Sequence, residues 1–119
     1  TTEPKVQAAL LMNHAAALLQ TGNPKEALRI LDDMVLPHEG ELRNEPSYFA
    51  AWNLKAHILY QQKDYAGAAA AFEALLRAAQ AADALTEQQS VICQNCSKMY
   101  ALAGNGEQAR VYQAMAETL

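Results

Sequence analysis

Apolar side chains recur along this chain at intervals of three and four residues, and no segment alternates with a period of two. That spacing lays an apolar stripe along a helix, so the pattern predicts six helices and no strands. The first covers about 5–20, with Leu10, Leu11, Ala15, Leu18 and Leu19 on its inner side. Thr21-Gly22-Asn23-Pro24 ends it: Gly22 suits a left-handed C-terminal position, Asn23 can cap the next helix and Pro24 can open it. The second runs to about Leu36 through Ala27, Leu28, Ile30, Leu31 and Met34, and the polar residues 37–45 read as a loop. The third opens at Pro46 or Ser47 and carries Phe49, Trp52, Ala56, Leu59 and Tyr60. Lys63-Asp64 then makes a tight turn, with Asp64 as the N-cap of a fourth helix from Tyr65 to about Ala82. Asp83 to Glu87 turns the chain again, with Thr86 as a cap, into a fifth helix bearing Val91, Ile92, Cys93, Cys96, Met99, Tyr100 and Leu102. Gly104-Asn105-Gly106 repeats the chemistry of the first turn before a last helix through Ala109, Val111, Tyr112 and Met115.

A longer period is laid over this one. Ala27, Ala68 and Ala109 are each 41 residues apart, and the same interval relates Ala15, Ala56 and Ser97. Leu18, Leu59 and Tyr100 keep the register, as do Asn23, Asp64 and Asn105, and Met34, Leu75 and Ala116. Alanine fills about one position in five, so one such triplet carries little weight. The joint register of small, large apolar and capping residues carries much more. A period of this length means similar modules stacked side by side, each a pair of helices. Small residues at recurrent crossing points let the two backbones of a pair approach, and a larger side chain there would overpack.

The second module reads Trp52-Asn53-Leu54-Lys55-Ala56, Leu59-Tyr60, Lys63-Asp64-Tyr65, Ala68, Phe72 and Leu75. It resembles the tetratricopeptide repeat (TPR), a helix–turn–helix unit with an aromatic residue early in its helix A and an alanine early in helix B. Leu11 and Leu31 stand at the two aromatic positions of the first module, and Cys93 and Gln113 at those of the third. The resemblance implies an all-α, TPR-like α-solenoid of three antiparallel helix pairs in a right-handed superhelix. Its repeats would span about 5–37, 46–83 and 86–119, as a single domain over residues 1–119. The seven residues beyond the usual period fall in the long connections between modules.

The same resemblance implies a partner-binding groove lined by the A helices. Its positions map onto Ala9, Met12, Asn13, Ala16, Leu19 and Gln20 of the first module. Asn53, His57, Tyr60 and Gln61 follow in the second, and Val91, Gln94, Lys98 and Leu102 in the third. Amides there can bond the backbone of a bound segment, while Met12, Leu19 and Tyr60 can bury its apolar side chains. The positions that hold a terminal carboxylate in chaperone-binding TPR domains are Met12, Ala16, Leu54, Val91 and Asn95, so that clamp is absent.

Composition narrows the partners. The chain has 119 residues, a net charge of −4 and no stripe of Lys or Arg, which argues against nucleic acid. The longest apolar run, residues 66–76, is too short and too rich in alanine for membrane insertion. Residues 1–5 lack the apolar core of a signal peptide, which predicts a cytoplasmic location. The first residue is not Met, in keeping with a chain processed or cut from a larger protein.

Candidate chemistry is sparse. Cys93 and Cys96 have no second Cys or His pair with metal-site spacing, and read as small buried apolar residues. His14, His38 and His57 show no ligand spacing either, so no metal and no cofactor are expected. His14 lies beside a small-residue crossing and reads as packed, which leaves His57 as the better functional histidine. Ser90 and Ser97 lack an evident base, Asp32-Asp33 with Glu39, Glu41 and Glu45 read as solvated surface, and no Gly-rich phosphate loop is present.

A non-enzymatic protein-interaction module, holding a peptide or partner helix in its groove, is therefore the expected function. The alternatives are a secretion-type chaperone for an aggregation-prone client, or a regulatory or oligomerisation domain cut from a larger protein. No further helix covers the last one, so Val111, Tyr112 and Met115 are expected to be exposed and to offer an end surface for a partner or a second copy.

Overall fold

The computed structural model describes residues 4–35, 46–83 and 87–118. Those residues are all-α, with no strand among them. The helices are α1 (Pro4–Gln20), α2 (Pro24–Ile30), α3 (Pro46–Gln61), α4 (Tyr65–Ala81), α5 (Gln89–Leu102) and α6 (Gly106–Thr118). α2 runs directly into a π-helical turn, Leu31–Val35. The loop expected at residues 37–45 and the cap expected at Thr86 lie outside the described residues.

Three turns join α1 to α2, α3 to α4 and α5 to α6, and they are built alike. The amides of Asn23, Asp64 and Asn105 donate to the carbonyls of Leu18, Leu59 and Tyr100, each at 2.8 Å. The amides of Gly22, Lys63 and Gly104 donate to Leu19, Tyr60 and Ala101 at 3.2, 3.0 and 3.1 Å. This pair of bonds is the Schellman end, which needs a left-handed residue just past the helix. Gly22 and Gly104 supply it at φ 87° and 85°. Lys63 takes the same conformation at φ 65°, where a side chain crowds the following carbonyl. Lys63→Gly is therefore expected to stabilise the fold by about 1 kcal/mol in chemical denaturation, the strain relieved exceeding the added freedom of the unfolded chain.

Each turn then opens the next helix. Asp64 caps α4 through its side chain, which accepts from the Gly67 amide at 3.0 Å. A Cβ on Gly67 would lie 2.6 Å from Asp64 Oδ2, so a side chain there would force the Asp64 carboxylate to shift. Asn105 accepts likewise from Gln108 at 3.2 Å. Asn23 sits at the N-cap of α2 but makes no side-chain cap bond, contrary to the reading of the sequence. Its amide instead donates to the Thr21 hydroxyl at 3.3 Å. Pro24 still presets the first helical φ.

The second helix also ends sooner than its apolar spacing implies. Beyond Ile30 the coil widens, and Leu31 and Val35 are fully buried while Asp32, Asp33 and Met34 between them stay exposed. Asp32 reaches Lys55 of α3 at 2.7 Å, and the Lys55 ammonium lies 5.3 Å from the centroid of the Trp52 ring. A half-exposed pair of this kind contributes at most about 1 kcal/mol, so apolar burial, not charge, holds this turn against α3.

α1 packs on α2 and on α3, α3 on α4, α4 on α5 and α5 on α6. The molecule measures 46 × 32 × 19 Å, and its thin axis is about two helix diameters, so the helices lie in two layers. α4 lies between α3 and α5 and is the most buried helix, through Ala68, Ala69, Ala71, Phe72, Leu75, Leu76 and Ala79. Ala15, Ala27, Ala56 and Ala68 have no exposed surface. In the third hairpin the Ser97 hydroxyl donates to the Ala109 carbonyl at 2.7 Å, so the small residues of α5 and α6 touch at their crossing. Ser90 adds a parallel bond to the Ala116 carbonyl at 3.0 Å. Both serines thus tie α5 to α6.

Candidate functional site

α3 and α5 both pack against α4, and an apolar cleft opens between them. Its volume is about 360 Å³, and it is bordered by Phe49, Ala50 and Asn53 of α3, Leu75 of α4, and Gln88, Val91, Ile92 and Asn95. A second hollow of about 160 Å³ continues it, between His57 and Tyr60 of α3, Phe72 of α4, and Asn95, Lys98 and Met99 of α5. Asn95 borders both, so the two form one groove with an apolar end and a polar end. Helical spacing creates it: Phe49, Asn53, His57 and Tyr60 share one face of α3, and Val91, Asn95 and Lys98 share one face of α5, with Gln88 at its N-cap.

The groove is clad in two kinds of surface. Leu75 and Phe72 form its floor and are 4% and 5% exposed, whereas Val91 on its rim is 53% exposed. The His57 ring meets the Phe72 ring edge-on at 6.5 Å, and Tyr60 leans on Tyr65 at 5.8 Å, which fixes the ring orientations at the polar end. Asn53 of α3 and Asn95 of α5 both border the cleft and offer donors and acceptors.

Of the residues expected to line a groove, Asn53, His57, Tyr60, Val91 and Lys98 are brought together here. Gln61, Gln94 and Leu102 are exposed but border neither hollow. The α1 residues lie apart from it. Asn13 and Gln20 are exposed, Ala16 is half-buried, and Met12 and Leu19 pack against the core. Phe49, Ala50, Gln88 and Ile92 complete the cleft and were not foreseen. The signal was available one turn before Asn53 and Val91 on the same helix faces.

At the C-terminal end the expected surface does not form. Val111 is 47% exposed, but Tyr112 is buried and Met115 half-buried against the core. The outward face of α6 carries Glu107, Arg110, Gln113 and Glu117, so α6 supplies its own polar cover. Tyr112 turns inward because a carboxylate waits for it. Glu73 of α4 accepts from the Tyr112 hydroxyl at 2.5 Å and from the Tyr100 hydroxyl at 2.8 Å, and the two rings stack at 5.7 Å. Burial first, and then the bond to Glu73, pushes the Tyr100 phenol up to about 12 and raises that of Tyr112 as well.

Cys93 and Cys96 are fully buried free thiols. Burial raises the Cys93 thiol and pushes Cys96 up to about 12, which removes the thiolate that nucleophilic or redox chemistry requires. His14 is exposed, not packed as its sequence position implied. Among the described residues no cluster of three or more His, Cys, Asp or Glu could hold a metal ion. No helix among them is long and apolar enough to cross a membrane. Comparisons with protein-family models, curated proteins and solved structures give no match for this chain.

Proposed function

We propose that this chain is a protein-interaction module of the TPR-like solenoid kind, and that it holds a segment of a partner protein in the groove between α3 and α5. The observation that carries this reading is the groove itself. It joins an open apolar cleft of about 360 Å³ to a hollow rimmed by amides, an imidazole, a phenol and an ammonium. Apolar cover with a few convergent polar groups is the usual composition of a binding site. The 41-residue register that recurs in the three turns supports the solenoid reading, because stacked similar hairpins leave hollows between neighbouring A helices.

The chemistry of the groove suits recognition better than catalysis. Its described residues include no carboxylate to pair with His57 and no activated nucleophile, and its amides can bond a backbone. Selection from a displayed library of random peptides is expected to enrich sequences centred on large apolar residues. Val91→Asp places a charge on the cleft rim at an exposed position and is expected to reduce their binding at least about tenfold without unfolding the protein. A library that yields no binder, or binders indifferent to Val91→Asp, would end this reading.

A further inference from the structure

We infer that the segment this groove takes is extended and acidic, with a bulky apolar side chain in the cleft and a carboxylate three residues away, at Lys98. This deepens the groove reading above and rests on it. Among the described residues no Asp or Glu borders either hollow, although the chain as a whole has an excess of acidic residues. Among the described residues Lys98 is the one charged side chain on either wall. Lys98, like Lys25, Lys63 and Arg110, has no ion pair among the described residues, but of these it alone borders the two hollows. A site that offers an uncompensated cation beside apolar surface favours an anionic side chain and repels a basic one.

The spacing follows from the helix that carries both features. Val91 rims the apolar cleft and Lys98 the polar end, seven residues further along α5. At 1.5 Å per residue this separation is about 10 Å, the reach of three residues of extended chain. Asn95 borders both hollows and Asn53 the apolar one, and their amides can bond the backbone of such a segment.

Titration of the ¹⁵N-labelled protein with short capped peptides tests this. The probe is a serine- and glycine-rich chain carrying one leucine and, three residues on, one aspartate; asparagine or lysine replaces the aspartate in the controls. At low salt the aspartate peptide is expected to shift the side-chain amide signals of Asn53 and Asn95. Its binding should exceed that of the lysine peptide about threefold to tenfold, as for a solvent-exposed ion pair gained against a repulsion. Lys98→Glu should invert that order, and Val91→Asp should weaken every peptide, the lysine peptide least. Equal binding of the three peptides, with Val91→Asp still disruptive, overturns the acidic reading and leaves the groove intact. Failure of every peptide to bind overturns both.

Discussion

Ala68→Leu is expected to lower the unfolding free energy by about 3 kcal/mol, and the melting temperature by roughly 10 °C. Ala68 has no exposed surface and sits in the first turn of α4, where that helix leaves Asp64 and crosses α3. Its counterpart in the third hairpin, Ala109, approaches α5 closely enough for its carbonyl to accept from Ser97 at 2.7 Å. A leucine at the equivalent point of the second hairpin has no space to fill, so the helices must separate or the side chain must leave its rotamer. Ala66→Leu, two residues earlier on an exposed face, is the control and should change stability by less than about 0.5 kcal/mol. Equal effects at the two positions would show that the crossing is looser than its geometry indicates.

Glu73→Ala is the second large effect, an expected loss of about 2–4 kcal/mol from two hydrogen bonds to a charged acceptor and the two phenols left without it. Glu73 lies on α4, Tyr100 on α5 and Tyr112 on α6, so one carboxylate fastens two neighbouring helices at once. Tyr112→Phe removes only one of those bonds and should cost less. Alkaline pH provides an independent reading. The neutral phenol is favoured in the fold, where Tyr100 is raised to about 12, over the unfolded chain, where it titrates near 10. The stability that these phenols contribute is complete below about pH 10 and is lost as pH rises towards 12. Absorbance titration of tyrosine ionisation should show the late phenols move to lower pH in Glu73→Ala, though not to the value of free tyrosine, since burial is the larger cause of the shift.

Much of this architecture was legible because it is local. Turns at Gly22, Lys63-Asp64 and Gly104-Asn105 depend on residues within one helical turn, and the spacing of small residues pointed to alanines that are buried. What escaped depends on distant partners. Nothing near Tyr112 announces Glu73, which lies 39 residues earlier, although Ala109, Tyr112 and Ala116 share one helix face and so pointed inward together. The π-helical turn was equally hidden, because Leu31 and Val35 obey ordinary helical spacing. Asn23, Asp64 and Asn105 occupy equivalent positions, yet only Asp64 and Asn105 cap their helices, while the Asn23 side chain bonds Thr21 instead. Asn53, His57, Tyr60, Val91 and Lys98 border the hollows between α3 and α5, whereas none of the residues expected on α1 does. A face mapped from a repeat shows which residues point the same way, whereas the cleft depends on how far neighbouring helices stand apart.

Helices in this fold lean chiefly on their neighbours in sequence, and the bonds that Glu73 adds lie wholly on the C-terminal side of the molecule. Order can therefore be lost in portions. Amide protons of α1 and α2 should exchange with solvent through partial openings that leave α4, α5 and α6 protected. The groove borders α3, α4 and α5, so it would persist while the leading hairpin frays, and a partner could remain seated throughout.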